Sequence, residues 1–450
     1  MAEAIQREVA QEVDHLLQVI FADRRKSGRL DLEAVEMVTR AAVHRAGAAL
    51  LAELLQTSAP SVREILCQCG GAAIYRELRR KQILTVVGPL EVWRPYYLCP
   101  LCHTGQSPQD VELDVAGTEC SPGVRRMLAL VGSQSSFAQG CQQLEQLAGL
   151  PVTAKAVERH AEAIGADIAA REQAAIHSAL QGPLPEAGGE PIPILYVEID
   201  GTGVPVVAAE TRGRSSKQPG EPAHTREAKL GCVFTQTHVD REGRPRRDEG
   251  STTYTGAIET AEEFGRRIFT EAHGRGWNRA RRRVVIGDGA PWIWNLADEH
   301  FPAALQIVDL YHARQHLWDL ASQLFPSDLR QRLRWVRSLE KKLDRGKIKP
   351  LVGELRSFRP RREELAALLR TEADYFERNA QRMRYPEFQR QKLFVGSGVV
   401  EAGCKTIIGS RLKQSGMFWA VRGANAILAL RCNRLSGKFE DYWESRHQAA

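Results

Sequence analysis

The sequence predicts a multidomain α/β protein, and three observations carry that prediction. At 450 residues, 43% of them hydrophobic, the chain has room for roughly two to four domains with cores of their own. The runs ILYVEID (194–200) and VVIGD (284–288) are short and apolar and close in Asp200 and Asp288; strands of this kind suit a sheet covered on both faces. Between about 240 and 309 helical and strand patterns alternate, and the Gly/Pro-rich stretch GPLPEAGGEPIP at 182–193 separates this region from what precedes it.

Residues 1–57 form an N-terminal helical region. Ile5, Val9, Val13, Leu16, Leu17 and Ile20 recur at helical spacing, the pattern breaks at Ser27-Gly28, and it resumes over 31–56. An exposed helical pair packs on a neighbour or a second subunit, so this region is the expected mediator of oligomers.

Residues 58–120 hold two close cysteine pairs, Cys67-Gln-Cys69 and Cys99-Pro-Leu-Cys102, flanking the hairpin-like ILTVVGPLEVWRPYYL with Gly88-Pro89 as its turn. Two such pairs are zinc-ribbon-like: four thiolates make a closed tetrahedral site for one structural Zn²⁺ and leave no position for chemistry. The first pair is one residue shorter than the usual spacing, and Cys120 or His103 lies near enough to replace a ligand. The plainer alternative is four unliganded thiols in a small core.

Residues 121–181 read as a helix-turn-helix region. One helix over about 137–148 ends at Gly149, Leu150-Pro151 turns the chain, and Thr153 caps a second helix to about Ile164 with Ala156, Val157 and Ile164 buried. Lys155 and Arg159 then face solvent, or a DNA groove; ordinary packing of two helices carries the same pattern. After the 182–193 linker come an α/β core over 194–318, a basic helical insertion over 319–395, and a second part of the core, 396–450, with a C-terminal helix.

The chemistry rests on acidic residues. A carboxylate just past a buried strand lies on the rim of the sheet, where open α/β sheets bind ligands. Glu401, in GSGVVEAGC (396–404), opens a late helix. Carboxylates converging on one rim repel unless cations sit between them, and two Mg²⁺ or Mn²⁺ ions about 3.5–4 Å apart activate a water or a 3′-hydroxyl and stabilise the leaving oxygen of a phosphodiester. Asp-Gly after a strand is also ordinary turn chemistry; the ordered set Asp200, Asp288, Glu401 in a basic protein favours catalysis. In IVDLYHARQHLW (307–318), Asp309 offers a further rim carboxylate, and His312 and His316 share a helical face at metal-ligand spacing, without the glutamate of an HExxH motif.

The formal charge is +7, and from Arg330 to Lys392 there are 19 Lys and Arg against 9 Asp and Glu. The excess favours a polyanionic partner. Arg330, Arg334 and Arg337 are candidate phosphate contacts in the insertion, as are the segments 211–229 and 275–283; a solvated face laced with ion pairs is the alternative. Arg411, Lys413, Trp419 and Arg422 form a basic, aromatic group near Glu401, where an aromatic face suits an unpaired base; the alternative for Trp419 is a place in the core. No apolar run approaches the roughly 18–20 residues of a membrane span. The N-terminus MAEAIQREVAQEV lacks the layout of a secretory signal, and nine cysteines without one read as reduced thiols. The expected place is the cytoplasm, at the nucleoid.

The order of these pieces resembles the transposases of bacterial insertion sequences, the ISKra-type group related to the Mutator-like superfamily. The resemblance runs over nearly the whole chain through the cysteine module, the helix-turn-helix, VEIDGTGVP, VVIGDGAPWIWN, VDLYHARQHLW and VEAGCKTIIGSRLKQSGMFW. It implies an RNase H-like catalytic core interrupted by an all-helical insertion. It also implies a DDE triad falling on Asp200, Asp288 and Glu401 with two divalent cations. Asp309 and His312 fall on a supporting signature. The expected function is binding of terminal inverted repeats in double-stranded DNA, then metal-dependent strand cleavage and strand transfer by a homodimer or higher oligomer. The alternatives are a zinc-stabilised DNA-binding protein without catalysis and a structure-specific endonuclease on the same fold.

Overall fold

The computed structural model describes residues 29–56, 58–182, 188–215 and 221–447, with scattered positions before residue 27. The first expected helix, with the break at Ser27-Gly28, lies outside the described residues, as do parts of the linker and of the 211–229 segment. The chain forms two compact units, residues 1–163 with 441–450, and residues 164–440. Among the described residues no helix is long and apolar enough to cross a membrane.

In the first unit, helix α1 (Leu32–Leu54) starts at Asp31, whose carboxylate accepts the Ala34 N–H and so satisfies a donor of the first turn. A four-stranded antiparallel sheet follows, in the order β1 (Glu64–Leu66), β2 (Ala72–Thr85), β3 (Gly88–Leu98), β4 (Gly105–Gln106). Leu51 and Leu55 pack on a core of Ile83, Leu90, Val92 and Val115. The hairpin turn sits two residues earlier than Gly88-Pro89. Thr85 pairs with Gly88 and Leu84 with Pro89, so Val86 and Val87 make the turn and Gly88, at φ 115°, takes the left-handed position after it. Proline is tolerated at the start of β3 because the ladder bond it cannot donate falls at the turn.

Helices α2 (Pro122–Gln134) and α3 (Phe137–Gln143) close the unit around Val124, Leu128, Leu144, Leu150 and Val157. A wide turn over 144–148 ends at Gly149 in the left-handed conformation (φ 66°). Thr153 Oγ1 accepts the Ala156 N–H and starts α4 (Ala154–Gln181), which continues 28 residues, far beyond Ile164. Val157 and Ile164 are buried as expected, but Ala156 is half-buried. The helix is prolonged because Ala161, Ile164 and Ile168 keep supplying an apolar stripe past that point.

The second unit is built on a five-stranded sheet. In chain order its strands are β5 (Ile192–Pro205), β6 (Thr225–Gln236), β7 (Thr253–Ala257), β8 (Ala280–Gly287) and β9 (Leu305–Val308). Their spatial order is β7-β6-β5-β8-β9. The first three make an antiparallel meander, and β8 and β9 run parallel to β5. Parallel neighbours need crossovers, which α5 (Ala261–Gly274) and α6 (Pro291–His300) supply. Leu195, Val197, Ile199, Val284, Val285 and Ile286 are fully buried, as strands covered on both faces require.

The insertion is all helical: α7 (Leu310–Leu324), α8 (Leu329–Asp344), α9 (Ile348–Ser357), α10 (Glu363–Arg378) and α11 (Tyr385–Arg390). Val336, Leu339 and Leu343 form the buried face of α8, while Arg330, Arg334 and Arg337 lie exposed. The chain then returns to the sheet in α12 (Gly398–Gly403), which runs on through a wide turn to 409, and ends in α13 (Val421–Leu435) and α14 (Phe439–His447).

Candidate functional site

Register brings the acidic residues to one level. Glu198 pairs with Ile286 and Gly287 with Val308, so two places along β5 and one along β8 and β9 put Asp200, Asp288 and Asp309 in a single row. Asp288 and Asp309 stand just past the carboxyl ends of β8 and β9; Asp200, expected to close its strand, lies inside β5, which continues to Pro205 because β6 goes on pairing with it. Cross-strand partners share a face. Asp200 lies opposite Leu230, which touches the helix at Gly403, whereas Gly231 faces Ile268 and Phe264 of α5. Asp200 therefore looks toward the face covered by α12, the helix that carries Glu401.

Each carboxylate is held differently. Asp200 is half-buried and accepts its own neighbour's Gly201 N–H at 2.7 Å. Burial raises its pKa, and the charges of Asp288 and Glu401 push the same way, against a hydrogen bond from Cys404 and the Gly201 N–H. Asp288 Oδ1 accepts the Ala290 N–H at 2.8 Å in a tight Asx turn. Its carbonyl accepts the hydroxyl of Tyr375 from the insertion at 2.8 Å. Gly289 between them has φ 99°, and a Cβ there would meet the Tyr375 ring at 2.6 Å, so only glycine fits. Glu401 is half-buried, with Ser397 Oγ 3.2 Å from its Oε1.

Asp309 is fully buried and its carboxylate is saturated. Oδ1 caps α7 by accepting the His312 N–H at 2.7 Å, and Oδ2 accepts the Ser397 N–H and, at 2.5 Å, the Ser397 hydroxyl. Asp288, by contrast, is half-buried. The histidine pair is likewise engaged: His316 Nδ1 lies 2.8 Å from Glu372 and its ring stacks on Tyr375 at 4.1 Å, with His312 edge-on at 5.2 Å.

Glu198, missed in the sequence reading, is fully buried on the same strand face as Asp200. Its Oε2 accepts the Val400 N–H of α12 at 2.9 Å, while Oε1 has no partner. Burial pushes it up to about 8, with Asp309 adding to the rise and the Val400 and Val399 N–H groups opposing it. The period of two in Val-Glu-Ile-Asp was the available signal, since it places Glu198 and Asp200 on one face.

The basic, aromatic group divides. Lys413 is exposed and donates to Thr202 Oγ1 on β5, and Arg422 is exposed. Arg411 and Trp419 are core instead. Arg411 is completely buried with its guanidinium 5.0 Å from the Trp419 ring centre, and Trp419 Nε1 donates to the Leu412 carbonyl. Both are buried; the exposed aromatic next to Trp419 in the chain is Phe418, 65% accessible. Lys155 and Arg159 are exposed on α4, Lys155 paired with Glu158 at 2.8 Å.

In the other unit the four thiols form a cluster capable of coordinating a metal ion, all donor atoms within 4.8 Å of one another. The turns β1–β2 and β3–β4 each deliver one pair. Cys67 Sγ lies 3.6 Å from Cys102 Sγ, and Cys69 Sγ 3.6 Å from Cys99 Sγ. Zn–S bonds of about 2.3 Å require sulfur–sulfur edges of roughly 3.8 Å in a tetrahedron, so the set fits that ion. The short C-x-C loop closes because Gly70, at φ 85°, lets the Cys67 carbonyl accept the Gly70 N–H. Thr104 draws Cys102 down to about 6 through side-chain and backbone hydrogen bonds. Cys69 is held at about 12, where the Gly71 N–H opposes the push of the other three sulfurs. Neither proposed substitute is needed: Cys120 lies in the core with Val124 and Leu128, and His103 stands outside the cluster.

No protein-family model matches the sequence, and no curated protein is detectably similar to it. Among solved structures the chain is similar to the Drosophila P element transposase strand transfer complex. The identity is 9% and the TM-score 0.24, over 71% of this chain and 80% of that one. A likeness that loose fixes neither fold nor activity.

Proposed function

We propose that this chain is a DNA transposase of the DDE type, cutting and joining phosphodiesters at an RNase H-like core. The observation that carries the reading is the row of Asp200, within β5, and Asp288, just past the end of the parallel neighbour β8, with the Glu401 helix over the face of Asp200. An antiparallel meander followed by two parallel strands, ordered β7-β6-β5-β8-β9, is the strand arrangement expected of such a core. Asp200, Asp288 and Glu401 are the residues to hold two Mg²⁺ or Mn²⁺ ions, which when bound supply activation of the attacking hydroxyl and stabilisation of the leaving oxygen. Burial chiefly, and the charges of Asp288 and Glu401 in addition, oppose ionisation of Asp200, a condition that a divalent cation would relieve. Lys413, at Thr202 two residues beyond Asp200 on β5, offers a cation to a phosphate there. Arg330, Arg334 and Arg337 offer a second grip on double-stranded DNA, and Lys155 and Arg159 serve recognition of terminal repeats. One Zn²⁺ in the four-thiolate cluster stabilises the first unit, and two copies of the chain bring two element ends together.

The test is cleavage of terminal-repeat DNA in Mg²⁺ by Asp200→Ala, Asp288→Ala and Glu401→Ala. Each is expected to abolish cutting and strand transfer while DNA binding persists; a variant that still cuts removes its residue from the mechanism.

A second reading, a zinc-stabilised DNA-binding protein that does not cut, is favoured by one observation. Among the described residues the four thiols are the group whose donor atoms converge within 4.8 Å, and the three carboxylates do not reach that distance. Wild-type protein that binds DNA and never nicks it in Mg²⁺ or Mn²⁺ selects this reading. Cutting without joining selects an endonuclease.

A further inference from the structure

A cavity of about 620 Å³ opens beside Glu401. Its walls are apolar where they are anchored. Leu393 is buried, and Phe394 packs edge-on against Tyr196 and Phe234 at 5.4 and 5.8 Å. Tyr311, from the first turn of α7, forms another wall yet is 63% exposed. A Cβ added at Gly396 would meet the Tyr311 ring at 2.9 Å, so the ring rests directly on backbone; the Arg314 guanidinium lies 5.8 Å from its centre, and the rest of the ring is exposed. An aromatic side chain held this way loses little entropy when a flat ligand stacks on it.

The polar groups are few and placed at the edge. Gln389 brings an amide with both donors and an acceptor, and Glu401 brings its carboxylate. Arg244 lines the cavity from the turn joining the short strands His238–Val239 and Pro245–Arg246. The Lys392 ammonium lies against the same turn, 3.1 Å from where a Cβ of Gly243 would sit. Arg244 is engaged with Glu242 in an exposed pair, which contributes little and is readily exchanged for another anion.

We infer that this cavity receives an unpaired nucleobase of the DNA, stacked on Tyr311, its polar edge read by Gln389 and its flanking phosphate met by Arg244 and Lys392. The inference rests on the proposed function and deepens it. Chemistry on a duplex requires distortion near the scissile bond, and a base drawn out of the stack is stabilised by an aromatic platform in an apolar pocket. Because Glu401 forms part of the wall, a base seated here sets its own backbone at the carboxylate row.

The experiment uses the full-length chain with two probes, a blunt duplex and the same duplex ending in a short single-stranded overhang that carries the fluorescent base 2-aminopurine. With wild type, binding is expected to dim the 2-aminopurine emission, as stacking does. Tyr311→Ala is expected to weaken binding of the overhang duplex about tenfold, within the range of one lost base–aromatic stack, to restore the emission, and to leave the blunt duplex unaffected. Tyr311→Phe keeps the wild-type behaviour. Equal weakening on both duplexes, or wild-type binding without dimming, overturns the inference; the dimming needs no variant and is read even where one fails to fold. Cutting in Mg²⁺ by the same preparation separates the two readings. Cutting without dimming removes the pocket alone, dimming without cutting removes the enzyme and keeps a nucleobase site, and binding to neither duplex removes both.

Discussion

Asp309 and Ser397 are joined twice: one carboxylate oxygen accepts both the backbone N–H and the hydroxyl of Ser397, 88 residues further along the chain. The Leu310 N–H donates to the Val395 carbonyl at 2.9 Å beside this clamp. The insertion thus leaves the sheet and returns to it at one point, and the return leads within one helical turn to Glu401. Asp309 ties the start of α7 to Ser397, the residue before the Glu401 helix.

Asp309→Asn keeps an acceptor but turns an amide toward donors, leaving a buried N–H of Ser397 or His312 poorly satisfied. A loss of about 2 kcal/mol is expected, with Ser397→Ala losing about 1 kcal/mol. Urea denaturation of the two variants measures it. A neutral Asp309→Asn would show that the clamp does not hold the insertion. Its cutting activity should fall less than that of Asp288→Ala; equal loss would return Asp309 to the list of acting carboxylates.

Glu198 makes stability depend on pH with a definite sign. Its folded-state pKa of about 8 lies above its ordinary value of 4.5, so between those values the unfolded chain ionises while the folded chain must stay protonated. Stability therefore falls as pH rises from 4.5 to 8 and levels off beyond, by an amount on the order of 5 kcal/mol. Glu198→Gln keeps the acceptor for the Val400 N–H and removes the ionisation. The variant should be no more stable than wild type at low pH and more stable above the folded-state pKa. Parallel pH profiles for both proteins would contradict this account.

The thiol cluster predicts about one zinc per chain by elemental analysis of purified protein. Cys99→Ser should release it and speed hydrogen exchange across β2 and β3 while leaving the second unit's exchange unchanged. Folded protein without zinc, indifferent to chelators, would leave four unliganded thiols.

Changing Lys155 and Arg159 together to Ala should erase preference for repeat DNA over scrambled duplex, each lost base contact being worth roughly 1–3 kcal/mol of discrimination. Reversing Arg330, Arg334 and Arg337 to Glu should weaken both duplexes alike and flatten the dependence of binding on salt. Titrations at two salt concentrations distinguish the patterns; the opposite division would move sequence reading from α4 to the insertion.

Gly289→Ala should cost about 2–3 kcal/mol through its positive φ and the collision with Tyr375, and displace Asp288. Tyr375→Ala in the same chain relieves the collision alone. A variant as stable as wild type in thermal unfolding would mean that the Asp288 turn is not fixed by the insertion.

The sequence by itself determined what local chemistry and periodicity encode. The apolar runs before Asp200 and Asp288 became buried strands, Thr153 capped a helix, the cysteine pairs fell in turns, and the arginines of α8 stayed on its polar face. Tertiary structure decided the rest, because side-chain environments depend on residues remote in the chain. Arg411 reads as a surface cation and Trp419 as either a stacking platform or core, yet both are buried, the guanidinium 5.0 Å from the indole ring centre, a contact that favours a desolvated cation. Asp309 reads like Asp288, both closing an apolar strand, and only Ser397, returning after the whole insertion, makes one a clamp and leaves the other at the rim. Glu198 lies two residues from Asp200 in plain view, but its burial under α12 exists only once that helix has crossed the sheet.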